Sequence, residues 1–141
     1  MIYISQPLEV GNPQEAAAWA EQGQFITNLI MSYLPNRPLY NFPLQWIKAR
    51  ADLNLAASAS QTSKMALQFL GRAEGVIFTD LPGAELCPRT TIEKTAARRL
   101  EIPTAVLPFY RQRFEQQKKQ SALLGDQKRV LNLFSSLLEE S

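Results

Sequence analysis

The stretch Gly75-Val76-Ile77-Phe78-Thr79 constrains the fold of this chain more than any other. Its apolar character is continuous rather than alternating, so a strand built from it has to be covered on both faces, as central strands of parallel sheets are. Two other short runs share this make-up: Ile2-Tyr3-Ile4-Ser5, which stops at Pro7, and Thr104-Ala105-Val106-Leu107, entered through Glu101-Ile102-Pro103. A fourth, Leu39-Tyr40-Asn41-Phe42, lies between Pro38 and Pro43, which makes it an edge strand or an irregular segment.

Helical patterns separate these runs. Asn12-Pro13 is a helix start, with Asn as cap and Pro in the first position. From there to Leu34, before Pro35, the residues Trp19, Ile26, Leu29, Ile30, Tyr33 and Leu34 recur at helical spacing, with Gly23 interrupting the pattern. Thr62 or Ser63 caps a second helix whose inner face holds Met65, Ala66, Phe69, Leu70 and Ala73. A third runs from Thr90 to Leu100 with Ile92, Ala96, Ala97 and Leu100 inward. Residues 111–141 are helical, broken at Gly125-Asp126, and end in the stripe Val130, Leu133, Phe134, Leu137 and Leu138. The segment 49–60 is a weak helix or an ordered loop.

Alternation of strands and helices predicts an α/β chain: a three-layer sandwich with a mainly parallel sheet of four to five strands, Rossmann- or flavodoxin-like. The expected division is an α/β domain over residues 1–110 and a C-terminal helical extension over 111–141, packed on the domain or on a second subunit. Too apolar for a free tail, the terminal stripe predicts a homodimer built on this last helix, with packing on its own domain as the alternative.

Composition narrows the chemistry. A length of 141 residues with 45% hydrophobic content and a net charge of +2 excludes a disordered chain. With no histidine and only Cys87, the chain lacks a disulfide framework, the usual zinc and haem ligands and a His-based triad, so no metal and no cofactor is expected. No apolar run approaches the roughly 18–20 residues of a membrane span, and the first residues carry no basic region, so a cytoplasmic protein without membrane contact is expected. Basic residues from Arg111 to Lys119 are mixed with Glu115 and form a solvated helix face, giving no direct evidence for nucleic acid.

In such sheets ligands bind beyond the carboxyl ends of the strands, which singles out the loops at 5–12, 80–91 and after Phe42. The opening IYISQP and the stretch Ala73 to Leu107 carry a further pattern: Tyr3, Ser5 and Pro7 in front, then Pro82-Gly83, Thr90, Glu93, Ala97 and Ile102-Pro103. In their order and spacing these residues resemble the nucleoside 2-deoxyribosyltransferase-like superfamily and its small, often phage-borne relatives. There a strand "hYhsGP" precedes "S/D-x-G-T-x-x-E" at a helix start and "A-x-x-x-x-h-P" at its end. The chain departs from that pattern at Gln6, which replaces a small residue, at Cys87-Pro88-Arg89, and at Gln61-Thr62-Ser63, where the family has an aspartate. The resemblance implies a nucleoside or nucleotide as ligand and puts the family's nucleophilic glutamate at Glu93.

Each residue also has a plainer explanation. Glu93, three residues after Thr90, fits a capping box as well as it fits a nucleophile oriented by the hydroxyls of Tyr3 and Ser5. A carboxylate near an anomeric carbon stabilises the oxocarbenium-like state of N-glycosidic cleavage, by analogy with glycosidases. Arg89 and Thr90 at a helix start suit a phosphate, while an exposed loop arginine is the alternative. Asp80 holds a ribose hydroxyl or makes the turn before Pro82-Gly83. Gln6 and Gly83 complete the expected substrate contacts; Cys87 is expected to be inert, and Tyr40, Phe42 and Trp46 form an apolar wall or simply core. The expectation is therefore a nucleotide- or nucleoside-binding protein that cleaves or transfers at an N-glycosidic bond. Its alternative is a non-catalytic interaction or regulatory module on the same scaffold.

Overall fold

The computed structural model describes residues 1–6, 13–41, 59–80, 88–109 and 111–140, with the side chains of 13–20, 59–63, 80, 88–89, 111–115 and 140 left aside. In chain order the elements are β1 (Ile2–Ser5), α1 (Pro13–Tyr33), β2 (Leu39–Asn41), α2 (Ala59–Leu70), β3 (Gly75–Asp80), α3 (Pro88–Arg99), β4 (Thr104–Pro108), α4 (Arg111–Gln120) and α5 (Gly125–Glu140). The four strands form one sheet in the order β2-β1-β3-β4, and every neighbouring pair is parallel. This is the three-layer α/β sandwich, Rossmann- or flavodoxin-like, with a C-terminal helix added.

Both faces of the central strands β1 and β3 are covered, as their unbroken apolar runs require, while edge strand β4 leaves Thr104 and Val106 exposed. Ile2 and Ile4 of β1, Ile77 of β3 and Leu107 of β4 pack with Ile26, Leu29 and Ile30 of α1 and with Leu131, Phe134 and Leu138 of α5. Tyr3, Val76 and Phe78 point the other way, onto Ala66 and Leu70 of α2 and Ala97 of α3. The period of two along a strand assigns alternate residues to these two cores. With α1 on one face and α2 and α3 on the other, the chain moves from β1 to β2 in one direction and from β2 past β1 to β3 and β4 in the opposite one. Right-handed crossovers demand that division.

Strand order reverses between β1 and β3, which are hydrogen-bonded neighbours from Ile2↔Gly75 to Ser5↔Phe78. The crevice at such a reversal is where ligands bind in open α/β sheets.

Several expectations change. Helix α2 begins at Ala59, ahead of the Thr62 or Ser63 start, and Met65 on it is exposed. Helix α3 begins at Pro88, so Thr90 stands inside the first turn and is not its cap. Ile92 and Leu100, expected to face inward, are exposed, and the buried side of α3 is Thr90, Glu93 and Ala97 instead. Of the terminal stripe, Phe134 and Leu138 join the chain's own core and Val130 packs against it, whereas Leu133 and Leu137 remain on the surface. Segment 49–60, apart from its last two residues, lies outside the described residues, as do Phe42, Trp46 and Cys87. Tyr40 belongs to the core flank: its ring stacks on Phe69 with centroids 4.7 Å apart, and burial pushes its hydroxyl pKa up.

Candidate functional site

Tyr3 and Ser5 share one face of β1, and that face looks at α3. The Tyr3 hydroxyl donates to Glu93 Oε1 at 2.8 Å, and the Ser5 hydroxyl donates to Glu93 Oε2. All three residues are completely buried. A buried tyrosine needs a partner for its hydroxyl, and a buried carboxylate needs donors; each satisfies the other. This explains why α3 turns a polar face inward. Small side chains let the helix approach the sheet, and burying Ile92 and Leu100 instead would have left two strand hydroxyls without an acceptor.

Each oxygen of Glu93 thus accepts from a β1 hydroxyl, and Thr90, inside the first turn, is not the cap of α3. The three residues that the sequence singled out for one role, 90 residues apart in the chain, do come together, at the carboxyl end of β1 beside the strand-order reversal. They meet inside the protein, however, and not on the wall of an open cleft. Ser5 is fixed further by its own carbonyl, which accepts a 3.3 Å hydrogen bond from the Thr79 hydroxyl of β3.

Thr90 lies one helical turn before Glu93 on the same face of α3. It is only 4% exposed, and its hydroxyl has no hydrogen-bond partner among the described residues. Such an orphan costs about 1–3 kcal/mol, a penalty that a ligand oxygen or a water would remove. The first-turn amides of α3 surround it with the positive end of a helix dipole. Arg89 is in the same turn and Asp80 ends β3, but their side chains, like Gly83, are outside the described residues.

Gln6 separates from this group. Directly after β1 it faces the opposite side of the sheet, fully buried against α1. Asn41 Nδ2 donates to Gln6 Oε1 at 2.7 Å and to the Thr27 hydroxyl at 3.2 Å. Gly23 is part of the same cluster: a Cβ there would stand 2.7 Å from Gln6 Oε1 and 3.0 Å from its Nε2. Sequence reasoning named Gln6 but missed Asn41 and Thr27. The one available signal was Gly23, a glycine inside a helical pattern, which marks a close approach.

Among the described residues no group of three His, Cys, Asp or Glu side chains is placed to hold a metal ion. No described helix is long and apolar enough to cross a membrane. Comparison of the chain with protein-family models, with curated proteins and with solved structures returns no match.

Proposed function

We propose that this protein binds a nucleoside or nucleotide at the carboxyl ends of β1 and β3 and cleaves or transfers at its N-glycosidic bond. The observation that carries the reading is the Tyr3–Ser5–Glu93 constellation: two strand hydroxyls hold one buried carboxylate beside the strand-order reversal. It gains support from the resemblance of Tyr3, Ser5, Thr90 and Glu93 to the nucleoside 2-deoxyribosyltransferase-like pattern, and from the orphaned Thr90 hydroxyl.

In this reading Glu93 attacks the anomeric carbon while the bond to the base nitrogen breaks, and the base departs with the bonding electrons and takes up a proton. Water or a second base then displaces the carboxylate. Tyr3 and Ser5 orient the carboxylate and spread its charge. Thr90 and Arg89 receive a phosphate when the ligand carries one, and Asp80 and Gly83 border the sugar. The working unit is a homodimer, and the compartment is the cytoplasm.

A second reading is supported by the complete burial of Glu93 and by the exposed apolar residues Ile92 and Leu100 on the outer side of α3. It makes the buried triad a structural tie in a non-catalytic interaction module. The experiment is a panel of nucleosides and 5′-monophosphates, followed by calorimetric binding and by release of free base. Turnover that Glu93→Gln abolishes while binding persists is the expected result. Binding and turnover both absent across the panel would shift the reading to the interaction module.

A further inference from the structure

Helices α2 and α3 lie side by side on one face of the sheet, and their outer sides meet in a groove of about 460 Å³. Leu67 of α2 lines one wall; Thr91, Ile92, Thr95 and Arg99 of α3, with Leu100 just beyond it, line the other. Ile92 and Leu100 are 42% and 56% exposed, and Met65, two residues before Leu67, is exposed as well. Apolar side chains gathered in one concavity mark a binding surface, whereas the same residues scattered singly do not. The charges around this groove share one sign. Among the described residues the exposed charged side chains of α2 and α3 are Lys64, Lys94, Arg98 and Arg99, and none of these has an ion-pair partner. Lys64 stands one turn before Leu67 and Arg99 lines the wall opposite, so each helix contributes a cation beside the apolar floor. The acid of α3, Glu93, is buried, and Glu101 lines a different cleft together with Lys94 and Arg98. In a chain of 15 basic and 13 acidic residues this is a local excess.

Shape and charge together select the occupant. Ile92 and Leu100 stand about 12 Å apart along the helix axis, at 1.5 Å per residue. A helix with apolar residues at i, i+4 and i+7 offers them over about the same length, and carboxylates on its two flanks reach Lys64 on one side and Arg99 on the other. A lipid bilayer would need the apolar side chains on a projecting face, not recessed between two helices. A nucleic acid would set phosphates against Ile92 and Leu100, and the groove offers no aromatic ring on which a base could stack.

We propose that the groove between α2 and α3 docks an acidic amphipathic helix of a partner protein. The proposal rests on the interaction reading above, names the partner's chemistry and uses no group at Glu93. The test is a selection of short peptides from a random displayed library against the full chain, followed by fluorescence anisotropy of the selected peptides. The expected binders carry net negative charge and apolar residues at helical spacing, and their affinity falls as salt is raised. Leu100→Asp should abolish this binding and Arg99→Glu should weaken it about tenfold, each with an unchanged melting temperature because both residues are exposed. Exchanging the peptide's glutamates for lysines should restore affinity for the double variant Lys64→Glu, Arg99→Glu. Neutral or basic binders, or acidic ones indifferent to Leu100→Asp and Arg99→Glu, would overturn this groove and leave the interaction reading standing. No binder at all would overturn both. Vesicles containing phosphatidylserine and a single-stranded oligonucleotide are the further probes, and binding of either that Leu100→Asp abolishes would overturn the helical partner. Should Leu100→Asp fail to fold, Ile92→Ser, at another exposed position of the same wall, takes its place.

Discussion

Replacing Tyr3 by Phe removes one oxygen and keeps the ring that packs on Ala66, Leu70 and Ala97. What is lost is the 2.8 Å hydrogen bond to Glu93 Oε1, between two fully buried groups that no water reaches. A hydrogen bond to a carboxylate contributes about 1.5–3 kcal/mol, against about 0.5–1.5 kcal/mol for a neutral pair. For a chain of 141 residues the entropy of unfolding is about 0.3 kcal/mol per kelvin, so Tyr3→Phe should lower the melting temperature by about 5–10 °C. In a Glu93→Gln background the same change should cost only about 2–5 °C, because a neutral amide binds the hydroxyl less strongly. Glutamine itself is tolerated there: its carbonyl accepts from one hydroxyl and its amide donates to the other. Thermal unfolding of the wild type, both single variants and the double variant forms a double-mutant cycle. A coupling of about 1–1.5 kcal/mol is expected. Additive effects, or a Tyr3→Phe variant within about 0.5 kcal/mol of wild type, would refute the claim that this bond orients the carboxylate.

Gly75→Ala would bring a Cβ within 2.5 Å of Phe134 Cζ and 2.9 Å of Leu138 Cδ2, so it should cost about 1–3 kcal/mol of overpacking. Gly125→Ala, with nothing within 4 Å, should leave the melting temperature nearly unchanged. Because burial raises the Tyr40 pKa in the folded protein above its ordinary value of 10.0, the unfolded chain loses that proton first and stability falls as pH rises past about 10. Tyr40→Phe should flatten that alkaline decline in urea titrations at pH 9 and above; an unchanged slope would remove Tyr40 as its cause.

Strand identity was written in the sequence because covering on both faces forces a continuous apolar run, as in Ile2–Ser5 and Gly75–Thr79; Thr104–Leu107 carries a similar run but, at the edge of the sheet, leaves Thr104 and Val106 exposed. Parallel pairing followed from the helices between them. Helix α1 was equally legible, since Ile26, Leu29 and Ile30 meet the sheet at the spacing that the chain displays. For α3 the same logic chose the wrong side. Periodicity ranks faces by how apolar they are, and Ile92 with Leu100 outranked Thr90 with Glu93. The actual orientation depends on hydroxyls of β1 that lie almost the whole domain away in sequence, and hydrogen-bond satisfaction inside a core is a property of the pair. The Gln6–Asn41–Thr27 cluster stayed hidden for the same reason, as three polar residues become a unit only when β1, β2 and α1 dock. On α5 the sequence established that an apolar stripe must be covered, and tertiary packing divided it. Phe134 and Leu138 close over Gly75, where the absence of a side chain lets the helix descend onto β3. Leu133 and Leu137 face away because a single helix resting on a sheet can bury only one side of itself.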